Sequence, residues 1–138
     1  MAAALPAFDG AQGFGSHTPH ARGKPTCVVT KLTDSDIGQK TSQLEPGQFR
    51  YCLAFAAEKN GAYILFNTGG TIKLKRTALI PSNVYVAGQS SHGGIAIEGK
   101  SIQIKNANDV IIRHIRHREA AKKGDAITII NSRNIVLD

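Results

Sequence analysis

The chain has 138 residues, 41% of them hydrophobic and 20% charged, which fits one globular domain. Its net charge of +7 and pI near 9.7 direct attention to polyanionic partners: nucleic acid, anionic lipid or acidic polysaccharide. An aromatic content of 6%, with no Trp, argues against base stacking on single strands, and no run approaches the ~18 apolar residues of a membrane span.

Residues 1–25 are rich in Gly, Ala, His and Pro, and their lack of periodicity predicts an extended arm. The first residues carry no basic cluster and no long apolar stretch, so they are not a recognisable signal peptide. Residues 26–31 predict a first strand, and the polar, turn-forming residues 32–46 predict a surface loop. Over residues 47–59, Phe49, Cys52, Leu53 and Ala56 recur at the spacing of one helical face, with Phe55 on its flank, and Asn60-Gly61 is a natural stop. Cys27 and Cys52 are the only cysteines; they are either a disulfide or two small buried thiols.

From Ala62 onward the chain reads as short strands: 62–66, 71–75, 84–87, 95–97, 102–104, 110–112, 126–130 and 135–137. They are rich in β-branched residues and separated by Asn, Gly, Ser and Pro. Two halves of the last 38 residues match when slid by 25: Ile102 falls on Ile127, Ile104 on Ile129, Asn106 on Asn131, Val110 on Ile135 and Ile112 on Leu137. A weaker copy places residues 84–86 ahead of 110–112 by 26. Short strands repeating at this period are the signature of a solenoid, whose coils must stack to bury their apolar faces. A β-sandwich with evenly spaced strands is the rival, but it gives no reason for the polar residue to repeat in register. Asn106 and Asn131 are therefore expected one above the other at a tight turn, and the 47–59 helix is expected to cap the open end of the coils.

These segments resemble a known family. Ala7-Phe8-Asp9-Gly10-Ala11-Gln12-Gly13-Phe14-Gly15 resembles the opening of pectate lyases, and Pro46-Gly47-Gln48-Phe49-Arg50-Tyr51-Cys52-Leu53 resembles their cap helix. Gly69-Gly70-Thr71-Ile72-Lys73-Leu74, Val86-Ala87-Gly88-Gln89-Ser90, Asn108-Asp109-Val110-Ile111-Ile112-Arg113, Gly124-Asp125-Ala126-Ile127 and Asn134-Ile135-Val136-Leu137-Asp138 follow in the family's order. The resemblance implies an all-β fold, a right-handed parallel β-helix with an N-terminal capping α-helix. Residues 26–138 would hold the cap and the first coils, truncated on the C-terminal side because Asp138 ends on a strand with no closing cap. It further implies secretion, a monomer, and polygalacturonate or pectin as the partner rather than nucleic acid or membrane.

The family cleaves polygalacturonate by β-elimination with Ca²⁺, which neutralises the uronate carboxylate so that the C5 proton can leave. The abstracting base is an Arg on a later coil than any present here, so the resemblance implies that this chain alone is inactive. Asp125 and Asp138 match family positions at and beside the metal, although Lys123 stands where the family often has another Asp. As plain structure, Asp125 opens a strand and Asp138 is a chain terminus. Arg113, Arg116 and Arg118, with His114 and His117, form a basic cluster suited to uronate carboxylates or simply to a solvated face. The alternative function is a non-catalytic module that binds acidic polysaccharide; a nucleic-acid binder is favoured only by charge.

Overall fold

A computed structural model describes residues 8–11, 21–118 and 126–138. Its strands wind as a right-handed parallel β-helix. A leading strand, β1 (Thr26–Val29), is followed by the helix α1 (Phe49–Glu58). The first coil holds β2 (Ala62–Phe66), β3 (Gly70–Lys73) and β4 (Ala78–Leu79). The second holds β5 (Val84–Ala87), β6 (Ile95–Glu98) and β7 (Ile102–Lys105). The third holds β8 (Asn108–Arg113), β9 (Ile115–Arg118) and β10 (Ile127–Ile130), and β11 (Arg133–Leu137) begins a fourth. Equivalent strands stack into three parallel sheets, β1-β2-β5-β8-β11, β3-β6-β9 and β4-β7-β10.

The pairing register is the one in the sequence repeat. Ile102 pairs with Ile127, Ile104 with Ile129, Val110 with Ile135 and Ile112 with Leu137. Val84 pairs with Val110, which extends the stack one coil back. Inward-facing Ile64, Ile72, Val86, Ile97, Ile104 and Val110 are fully buried and fill the bore. The turn residues repeat with them. Asn106 and Asn131 both take left-handed backbone, φ 52° and 48°, and Asn131 Nδ2 donates to Asn106 Oδ1 at 2.7 Å. A second ladder forms at the next bend, where Asn134 Nδ2 donates to Asp109 Oδ1 at 2.9 Å. Gly88 is needed for another reason: a Cβ there would lie 2.4 Å from the His114 carbonyl oxygen of the next coil.

Two strands differ from the sequence reading. The short β4 was not anticipated, and β9 lies within the basic cluster, between the strands expected at 110–112 and 126–130. β9 carries one apolar residue, Ile115, and its charged partners face outward, so its alternation is hidden by composition. Most of the predicted 1–25 arm lies outside the described residues. The described part covers the outer face of the five-stranded sheet, where Ala21 and Phe8 pack on Tyr85, Ala87 and Ile111.

The helix caps the bore as expected. Phe49, Cys52, Leu53 and Ala56 are buried, and Phe49 stacks on Phe66 with ring centroids 5.9 Å apart. Cys52 is bonded to Cys27 on β1, which settles the state of the two thiols. Residues 32–46 are not merely a surface loop, because Asp34 and Leu44 are buried beneath the helix. Arg50 Nε donates to Asp34 Oδ1 at 2.7 Å and Nη2 to Oδ2 at 2.9 Å, a two-point pair with both side chains almost wholly out of solvent. The same guanidinium donates to the carbonyls of Thr77 and Arg76, and the Lys75 amide donates to Asp34. At the other end of the helix the Thr41 amide and hydroxyl hold the Glu58 carboxyl below its ordinary range.

Two predictions follow from this cap. Burial alone pushes the Asp34 carboxyl up, but the Arg50 guanidinium and the Lys75 amide outweigh it and hold it below the usual carboxylate range. The pair's contribution to stability is therefore complete above the ordinary Asp pKa, about 3.9, and is lost as pH falls through the lower folded value. Asp34→Asn should cost roughly 3–5 kcal/mol at neutral pH, because it strands a buried guanidinium, and should flatten the acid limb of the stability profile. Urea titrations between pH 2 and 7 check both; an unchanged acid limb would show that the pair does not titrate with folding. The disulfide closes a loop with a sequence separation of 25 residues. Reducing it should lower stability by about 3 kcal/mol, read as a fall in the thermal midpoint with added dithiothreitol.

Candidate functional site

The predicted basic cluster is divided by a bend. β8 ends at Arg113, His114 turns the corner with φ 55°, and β9 carries the rest. Arg113 therefore points out from the five-stranded sheet, while Arg116 and Arg118 point out from the neighbouring sheet. His114 and His117 are not two positions of one strand: His114 is the bend, and His117 faces inward, beside Ile97 in register. His117 Nε2 lies 3.1 Å from the Lys100 carbonyl, to which it donates its proton, and Nδ1 is buried with no partner among the described residues.

Arg113 is the most organised of the three. Its Nε donates to Asp138 Oδ2 at 2.7 Å, and Nη1 to the Tyr85 hydroxyl at 3.4 Å. Its guanidinium carbon sits 3.8 Å from the centre of the Phe8 ring, a cation–π contact with the N-terminal segment. Gln89 donates to the same Tyr85 hydroxyl at 3.0 Å. The Tyr85 hydroxyl, and after it the Asp138 carboxylate, hold the Arg113 guanidinium above its ordinary range against the cost of burial, so it is a fixed cation. Asp138 is tied by its backbone as well, donating to Ile112 and accepting from His114.

Arg116 and Arg118 are exposed. Arg116 lies along the coil beside Gly94, where a Cβ would meet its Nη2 at 3.0 Å. Arg118 stands beside Glu98 in register, but Glu98 is turned to Lys73, 3.8 Å away. Neither arginine has a carboxylate partner among the described residues.

The two predicted metal residues are not brought together on the described chain. Asp125, with Lys123, lies outside the described residues, and Asp138 is neutralised by Arg113. Among the described residues no three His, Cys, Asp or Glu side chains converge in a way that could hold a metal ion. These residues by themselves do not fit a Ca²⁺ site, which needs several carboxylate oxygens. The sequence reading missed Tyr85 and Phe8 as supports of Arg113. A signal existed: Val84-Tyr85-Val86-Ala87 is an unbroken apolar run, as a strand covered on both faces requires.

No family model matches the chain. Probable pectate lyase C of Emericella nidulans is 33% identical over 98% of this chain, and the Aspergillus flavus protein of the same name is 32% identical over the same share. The chain is homologous to pectate lyases over nearly its whole length. Probable pectate lyase P56 of Solanum lycopersicum is 30% identical over 94% of the chain. The chain spans 30–35% of the length of these relatives. In fold it is similar to the crystal structure of Jun a 1, the major allergen from cedar pollen, with a TM-score of 0.74 at 23% identity over 91% of this chain and 40% of that one. Its cap and coils are thus those of a pectate lyase-type β-helix.

Proposed function

We propose that this chain supplies the cap and first coils of a lyase acting on polygalacturonate by β-elimination, and that its β8–β9 corner binds uronate carboxylates. The observation that carries the reading is the display of two exposed guanidinium groups, Arg116 and Arg118, with no carboxylate partner among the described residues, next to the bend that Arg113 and its contacts hold in place. Arg116 and Arg118 stand two residues apart on one strand face, about 7 Å, and present planar donors to solvent. Carboxylates accept two-point bonds from such donors, which gives orientation as well as charge. In the elimination the C5 proton leaves, a C4–C5 double bond forms and the glycosidic C4–O bond breaks. The base for that step, by resemblance, is an Arg beyond the coils present here. The described residues contribute binding and positioning. The Cys27–Cys52 bond supports an oxidising, extracellular setting.

Calorimetric titration of the 138-residue protein with polygalacturonate should show binding that weakens with salt. The Arg116→Ala/Arg118→Ala double variant should bind about tenfold more weakly, as expected for loss of charge-assisted hydrogen bonds. Equal affinity for parent and double variant would remove the corner from the binding surface. No ultraviolet-absorbing unsaturated product should form, with or without Ca²⁺; calcium-dependent turnover by this chain would place the base within it.

Calcium enters the same proposal through Asp125. Removing its charge in Asp125→Asn should weaken Ca²⁺ binding, and Lys123→Asp should strengthen it by adding a carboxylate and deleting a cation. Calorimetry on the longest folded form checks the pair. Identical Ca²⁺ isotherms for both variants and the parent would make Asp125 a turn residue only.

A further inference from the structure

A cleft of about 420 Å³ opens between the helix, the buried part of the 32–46 loop and the edge of β4. It lies on the face of β4 and β7, away from the β8–β9 corner. Leu44, Leu53, Leu79 and Ile80 form its apolar wall, and Arg76 and Lys105 stand in its lining. None of the described residues that line it carries a carboxylate. Arg50 also contributes, but its charge is matched by Asp34 from behind.

Arg76 is the informative residue. It is half-buried, and its Nε donates to the Ser35 carbonyl at 3.3 Å and its Nη2 to the Gly38 carbonyl. These acceptors fix the guanidinium plane without neutralising it, and no described carboxylate pairs with it. A guanidinium has five donors, so the group can still bind an anion. Leu79 is 60% exposed at the mouth, a large apolar side chain left open to water beside two cations.

We propose that this cleft is a binding site for a small amphipathic organic anion, a carboxylate with an aliphatic body. The carboxylate meets Arg76 and Lys105, and the body lies against Leu44, Leu79 and Ile80. An uncompensated, partly desolvated guanidinium favours an anion, and the apolar wall favours a ligand that is not a sugar acid. The site does not depend on the polysaccharide reading, because it shares no residue with the β8–β9 corner.

The test uses the 138-residue protein with octanoate as the probe, followed by calorimetry and by heteronuclear NMR. Octanoate should bind with saturable shifts at Leu53, Leu79 and Arg76. Octan-1-ol, with the same body and no charge, should bind about tenfold more weakly, and so should Arg76→Gln. Leu79→Asp alters an exposed position, keeps the fold intact by its melting curve, and should abolish binding. Polygalacturonate affinity should be unchanged in both variants. The proposal is overturned if octanoate does not bind, if it binds parent, Arg76→Gln and Leu79→Asp alike, or if galacturonate saturates the cleft as well as octanoate does.

Discussion

A coil of short strands cannot bury its own apolar face, so every coil here depends on matching its neighbours position by position. Along a strand the side chains alternate, and a slip of one residue would send the whole inward set to solvent. The bore therefore tolerates one register only. Equal coil geometry requires equal bends, which is why the polar residues repeat as faithfully as the isoleucines. Asn106 and Asn131 share left-handed backbone and one amide bond; Asp109 and Asn134 do the same at the following bend. Each ladder satisfies side-chain donors at the place where the backbone leaves the sheet. The Gly88 position shows the same constraint from the packing side, since the bend of the next coil passes directly over it.

Among the described residues no strand lies beneath β4 of the first coil, and this creates a different problem. In a parallel sheet alternate residues direct their backbone groups to alternate sides. Ala78 and Ile80 donate to the Ser101 and Gln103 carbonyls of the second coil. Carbonyls pointing the other way face the cap, where α1 offers side chains in place of a strand. Arg50 supplies the missing donors to Arg76 and Thr77, and Asp34 accepts from the Lys75 amide. The ion pair is thus a substitute edge. An apolar pair of the same volume would spare the desolvation cost but leave the carbonyls and the amide unsatisfied. The disulfide acts on the same junction by fixing the helix to β1.

The fold was largely legible because two independent signals, the apolar alternation and the recurring Asn, share one period. The helix face was legible for the same reason. Asp34 was not. It sits in a polar, turn-rich segment, and its partner is 16 residues away on a helix, so nothing local marks it as buried. β9 was hidden because its outward residues are charged and only Ile115 marks its inward face. The candidate site could be named from the sequence as residue types, but its geometry could not. Sequence order puts Arg113, Arg116 and Arg118 in one run, but the left-handed bend at His114 assigns them to two sheets. The clamp of Phe8 and Tyr85 on Arg113 joins residues that only the fold brings together.

The basic balance of the chain is therefore not a single property. Arg50 is consumed by the cap, and its charge is cancelled within a two-point pair that solvent ions scarcely reach. Arg113 is held by a carboxylate, a hydroxyl and an aromatic face, which fixes its orientation and leaves little of it to be screened. Arg116 and Arg118 are open to solvent, and Arg76 is fixed beside an apolar cleft. Added salt should act mainly on the exposed pair, and acid mainly on Asp34 beneath the helix. The proposed binding of a polyanion would in this way rest on other charges than the stability of the cap, so each could be altered by substitution without disturbing the other.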